Sequence, residues 1–192
     1  MRLGILLLAV ALLPSLCRAQ APVYAVTPQQ STIKFKVKAT VVIAGKFDKW
    51  DASLKFRSHD VSTGVLNINI QAASVDTGSG MKNNKLKGKD FFNVEQNPLI
   101  TFRSTGMRQT SPNTFDVPGT FTIRGVSNPE TLKLTISNTG VGSGAIIAAM
   151  AFNRKGYEMN GSIPFIKIAD LVEVDIHLKV KRVSGSPLLL KE

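Results

Sequence analysis

Val172 to Arg182 reads VEVDIHLKVKR. Val172, Val174, Ile176, Leu178 and Val180 alternate with Glu173, Asp175, His177, Lys179 and Lys181. Successive side chains of a strand project to opposite faces, so this segment is a ribbon with one apolar and one charged face. Ser31 to Ala39 (STIKFKVKA) repeats the pattern, with Ile33, Phe35, Val37 and Ala39 opposing Lys34, Lys36 and Lys38. Either the apolar faces meet each other in a core, or they line a cavity, or they meet lipid.

The same period of two recurs along the chain. Trp50, Ala52, Leu54 and Phe56 share a face of GKFDKWDASLKF (45–56). Further strands are expected at VLNINIQAA (65–73), LITFRST (99–105), TFDVPGTFTIRG (114–125), ETLKLTISN (130–138) and AIIAAMAFNR (145–154). Turn signals separate them: SHDVSTG, SPN, SNP and NTGVGSG. Ser79 to Asn93 (SGMKNNKLKGKDFFN) has no strand pattern, and Met81, Lys82, Lys85 and Leu86 fit one or two helical turns. About eight strands, turn-rich connections and one short helix predict an antiparallel barrel or sandwich in a single domain. The Leu188-Leu189-Leu190 run near the end is either a plug for one end of the barrel or a frayed terminus. A membrane-spanning barrel would show the same alternation turned outward. One Trp and two Tyr are too few for two aromatic girdles, and the chain ends in Lys191-Glu192. The apolar faces are therefore expected to point inward.

The first residues have the layout of a secretory signal peptide. Arg2 supplies the positive start, Gly4 to Leu13 the short apolar run, and Cys17-Arg18-Ala19 a small-residue cleavage site. The expected organisation is a signal peptide over 1–19 and a barrel domain over 20–192. The protein would then be exported: periplasmic in a two-membrane bacterium, otherwise secreted. Cleavage would remove Cys17, the only cysteine, and two of the charges behind the net +11. The mature domain would hold no disulfide and no thiolate ligand.

Catalytic and metal chemistry are poorly supplied. His59 lies in the turn RSHD and reads as solvated, and His177 takes an outward strand position. No nucleophile elbow, clustered metal ligands or phosphate loop accompanies them. The expectation is a protein that is not an enzyme and carries no metal or cofactor. An exported chain with no basic-aromatic RNA motif or helix-turn-helix pattern is not a nucleic-acid binder either. The basic balance fits a solvated surface, and leaves open transient contact with an anionic membrane. It equally admits an envelope or stress barrel that acts through its basic surface on a membrane or protein partner. A dimer is open.

Five stretches, in order, resemble the YceI-like family of exported, lipocalin-like, polyisoprenoid-binding proteins. They are YAVTPQQSTIKFKVKA, GKFDKWDASLKF, SVDTGSGMKNNKLKGKDFFNVEQNPLITFRST, GTFTIRGVSNPETL and AFNRKGYEM, and the resemblance as a whole runs from about Tyr24 to Val180. Thr27 and Gln30 stand where the family commonly has Asp and His, and Lys82, Asn83 or Asn84, and Lys85 replace an Arg-Asp pair and a His. The resemblance implies an eight-stranded antiparallel lipocalin-like β-barrel with a short helical insertion. It also implies a cavity for one long-chain lipid: a polyisoprenoid, an isoprenoid quinone or a fatty-acid derivative. Alternation is the same for a hollow interior and a filled one. The candidate lining is Phe35, Phe47, Trp50, Phe91, Phe92, Phe102, Phe121, Phe152 and Met159, with Arg154 to hold a polar head group.

Overall fold

The computed structural model describes residues 20–137, 142–162 and 165–190. The expected signal peptide, most of the NTGVGSG turn and the terminal Lys191-Glu192 lie outside the described residues. Among the described residues, twelve strands form one antiparallel sheet. They are β1 (Val23–Val26), β2 (Thr32–Ala39), β3 (Ile43–Phe47), β4 (Trp50–Lys55), β5 (Val65–Gln71) and β6 (Val75–Asp76). Then follow β7 (Leu99–Ser104), β8 (Arg108–Ser111), β9 (Thr114–Ile123), β10 (Val126–Ser137), β11 (Ser143–Asn153) and β12 (Ile168–Ser184). One helix, α1 (Gly80–Lys87), stands between β6 and β7.

The twelve segments amount to eight barrel strands. The ring runs β1-β4-β5-β7-β9-β10-β11-β12 and closes because β1 pairs with β12. β2, β3 and β6 carry β1, β4 and β5 onward past bends: β2 continues on β12, β3 on β2, and β6 on β3. Closure removes the sheet edges that an open antiparallel sheet would expose. The bends account for segments that read as single strands. GKFDKWDASLKF breaks at Asp48-Lys49, where Ser74 Oγ accepts from Lys49 N at 3.0 Å. Between β1 and β2 a short 3-10 turn over Pro28–Gln30 is tied by Ser31 Oγ, which donates to Thr27 O at 2.7 Å and accepts from Lys179 N.

One expected turn sits elsewhere. Ser127, Asn128 and Pro129 are strand residues paired with Thr122, Phe121 and Thr120. The hairpin turns instead at Arg124-Gly125, both with positive φ (56° and 77°), the two-residue geometry that matches strand twist. Pro129 is tolerated because β10 meets β11 only over Lys133–Ser137, so its missing N–H breaks no ladder on that side.

The long β12 shows how the interior is used. Its inward Leu178 and Val180 belong to the buried core with Leu54, Leu66, Phe115, Leu134 and Ile146, none of which lines the cavity. Val172 and Val174, on the same face nearer the N-terminal end, are only half-buried. One half of the barrel is a packed floor; the other is hollow. The chain's tail closes the floor. Leu189 N donates to His59 O at 2.9 Å, Ser186 N donates to Gln20 O, and Leu188 and Leu190 lie against the core. Of the two readings of Leu188-Leu189-Leu190, the plug is the one observed.

Candidate functional site

The hollow half opens at the end where β12 begins. Around it stand alternate residues of successive strands: Ile33, Phe35 and Val37 from β2, Ile68 and Ile70 from β5, and Ile100 and Phe102 from β7. Phe121 and Ile123 come from β9, Met150 and Phe152 from β11, and Ile168, Val172, Val174 and Ile176 from β12. The cavity is narrow. About 1050 Å³ is free of protein atoms, mouth included, and only about 90 Å³ of it can take the centre of a water-sized atom. With so little room for a water-sized atom, the cavity is a narrow slot and not a wide chamber.

Nine of the ten candidate residues read from the sequence stand on this wall: Phe35, Phe47, Phe91, Phe92, Phe102, Phe121, Phe152, Arg154 and Met159. Trp50 does not. It pairs with Ile70 on the inward face, but it stands at the bend where β3 ends and β4 begins, half-exposed and off the wall. The aromatic rings form two groups. Phe47 lies between Phe35 and Phe92, with centroids 5.6 and 5.8 Å away. Phe121, Phe152 and Tyr157 make a second cluster with centroids 5.1 to 5.4 Å apart. Tyr157 anchors that cluster from behind: its hydroxyl donates to Glu130 Oε1 at 3.0 Å, and burial pushes its pKa well above the ordinary phenol range. The aliphatic half of the wall was not singled out from sequence, although every second residue of β2 and β12 carried the signal.

The mouth is built by α1 and the segment 154–161. Asn83 fixes the start of the helix by accepting from Thr77 N at 2.8 Å and Thr77 Oγ1 at 2.7 Å. The helix turns Leu86 and two lysines, Lys82 and Lys85, to the cavity. Lys85 is engaged with Asp90 at 3.3 Å and lies 5.9 Å from the Phe91 ring centroid. Phe91 covers Gly161 so closely that a Cβ there would come within 2.3 Å of the ring. Only glycine admits this contact.

Arg154 differs from its expected role. Its guanidinium is buried and donates to Ala169 O at 3.1 Å, Met159 O at 2.5 Å and Gly161 O at 3.1 Å. Asp170 lies 3.3 Å from Nη2. These carbonyls fix most of the rigid donor fork, so Arg154 braces the mouth and presents the stem of its side chain to the cavity. Of the two lysines on the cavity wall, Lys82 is the one with no ion-pair partner among the described residues.

Asp170 links this brace to a pH dependence. The hydrogen bond from Lys155, helped by the charges of Lys155 and Arg154, holds its carboxyl below the ordinary value. A carboxylate held below its unfolded pKa contributes stability fully above about pH 4 and loses it as pH falls through the lowered native value. Asp170→Asn is therefore expected to unfold at lower denaturant concentration at pH 7. The gap to the wild type should close as pH falls through the lowered native value, in urea titrations run from pH 7 downward. A gap constant with pH would show that the charge of Asp170 contributes nothing.

The two histidines are far from any such arrangement. His177 is exposed on the outer face of β12. His59 is half-buried rather than solvated, and its Nδ1 is buried without a hydrogen-bond partner. Among the described residues no group of His, Cys, Asp and Glu is placed to hold a metal ion.

Residues 24–180 match the model of the YceI-like domain. The chain belongs to the YceI-like family. A UPF0312 protein of Azotobacter vinelandii is 30% identical over 103 residues, 53% of this chain and 54% of that relative. The chain thus spans about half the length of that curated relative. Among solved structures, Burkholderia cenocepacia BcnA superposes with a TM-score of 0.73 at 26% identity, over 81% of this chain and 99% of that one. A polyisoprenoid-binding domain from Saccharophagus degradans, implicated in plant cell wall breakdown, superposes with a TM-score of 0.65 at 16% identity. That likeness covers 84% of this chain and 99% of the domain, and it concerns the fold.

Proposed function

We propose that this YceI-like barrel is an exported, non-enzymatic carrier or store for one long apolar lipid. The ligand class is a polyisoprenoid, an isoprenoid quinone or a fatty-acid derivative. The observation that carries the reading is the half-hollow barrel, a narrow slot walled by aliphatic and aromatic side chains with its cations confined to the mouth. A flexible hydrocarbon chain fits a slot better than a compact ligand does. The polyisoprenoid-binding description of the Saccharophagus degradans domain, which shares the fold, supports the class. The signal-peptide layout of residues 1–19 supports export.

Affinity then comes from hydrocarbon burial, at about 0.8 kcal/mol per methylene, or roughly fourfold in Kd. Native mass spectrometry of gently purified protein is expected to show one long-chain adduct, identified after organic extraction. In a titration series from about C8 to about C20, Kd should fall steeply until the slot is full and then level off. Equal affinity along the series, or neither adduct nor uptake, would remove the proposal.

A further inference from the structure

The rim of the cavity carries an unusual pair of features. The β2–β3 hairpin tip holds Val41 and Val42, 71% and 58% exposed. Beside it, Lys167 N donates to Thr40 Oγ1, and two residues before that lysine Phe165 stands fully exposed with a φ of 62°. A bulky aromatic residue rarely adopts that backbone conformation, and here it brings the ring into no apolar contact. Across the mouth, Met81 at the start of α1 is 85% exposed, next to the cavity-lining Lys82. All three segments border one opening, since Ile43, Lys82 and Ile168 line the same cavity.

Lysines outnumber acids around these residues, with Glu158 the one acid of the mouth segments outside an ion pair among the described residues. Lys38, Lys82, Lys89 and Lys167 have no ion-pair partner among the described residues. The nearby acids Asp90 and Asp170 are engaged by Lys85 and by Arg154 with Lys155. Apolar side chains on protruding tips, ringed by uncompensated lysines, suit an interface whose outer layer is anionic and whose inner layer is hydrocarbon. A protein partner would call for paired polar groups or a flat apolar patch; the rim offers separate apolar tips around a hole.

We infer that the mouth of the barrel docks on anionic phospholipid bilayers, with Phe165, Val41 and Val42 entering the interface and the lysines meeting the head groups. The inference rests on the lipid-binding reading for its purpose, because docking would place the cavity mouth against the bilayer interior. It stands on separate residues from those that line the cavity, Lys82 excepted.

Vesicle flotation tests it. The protein is expected to bind phosphatidylcholine vesicles containing phosphatidylglycerol about tenfold better than pure phosphatidylcholine vesicles at low salt, and to lose most of that difference near 1 M salt. Phe165→Ser combined with Val41→Ser should weaken binding about tenfold, and Lys167→Gln should flatten the salt dependence. Val183→Ser, at an exposed valine (59%) at the opposite end of β12, should change nothing. All these side chains are exposed, so thermal midpoints should match the wild type. Rim variants that bind like the wild type, an equal effect of Val183→Ser, or no preference for anionic vesicles would each overturn the inference. Uptake of an isoprenoid lipid delivered from cyclodextrin separates the two readings. Uptake without vesicle binding ends the docking inference alone. Rim-dependent vesicle binding without uptake leaves docking standing and ends the carrier.

Discussion

Arg154→Leu should lower stability by about 3 kcal/mol, a fall in thermal midpoint of roughly 6–12 °C. Leucine keeps apolar volume against the slot but leaves the carbonyls of Met159, Gly161 and Ala169 without their donor. Losing one partner of a buried polar network costs more than the network contributes when complete, since the groups left behind are still out of water. The damage should reach the mouth, because Gly161 also donates to Asp90 O at 3.0 Å and supports Phe91. Arg154→Lys is informative as well. It keeps the charge and loses the planar fork, so it should recover only a fraction of the stability. Were Arg154 a head-group anchor, the lysine variant would preserve binding and the leucine variant would keep its midpoint. Thermal melts of both variants with lipid titrations decide between brace and anchor.

Arg154 also marks where reading the sequence stopped. Which face of each strand points inward follows from alternation, because the period of two is imposed by backbone geometry. Hence Phe35, Phe102, Phe121 and Phe152 were legible as interior residues. Which interior positions are hollow was not legible. Ile146 and Ala148 alternate as cleanly as Val172 and Val174, yet the first pair is sealed in the floor and the second opens on the slot. That difference depends on how far each strand runs along the barrel axis, a matter of register between strands. The bend at Asp48-Lys49 likewise needs Ser74, distant in sequence, to show itself, and it moves Trp50 off the wall. The turn at Arg124-Gly125 was hidden because Arg is an uncommon choice for positive φ, while the adjacent Ser-Asn-Pro carries a strong but false turn signal. The role of Arg154 needed the positions of three carbonyls that no local pattern reveals.

Val174→Trp should weaken lipid binding by at least about tenfold and leave the thermal midpoint nearly unchanged. Val174 stands on the inward face of β12, opposite Phe35 and Met150, and is only half-buried because it borders the slot. An indole there would take space that the ligand needs, and would bury apolar surface of its own. In a packed interior the same enlargement forces side chains off their rotamers, at about 1–3 kcal/mol or more. Ala148→Trp supplies that comparison: Ala148 is 1% exposed, on the neighbouring strand, and lies off the cavity wall one inward position below Met150. The two variants therefore separate a hollow from a core within one barrel. If the slot is a binding site, Val174→Trp loses ligand and keeps its fold, while Ala148→Trp loses stability first. If both destabilise alike, the upper barrel is as filled as the floor and there is no room for a chain. If Val174→Trp melts normally and still binds lipid at full affinity, the ligand sits elsewhere and the slot is a packing defect.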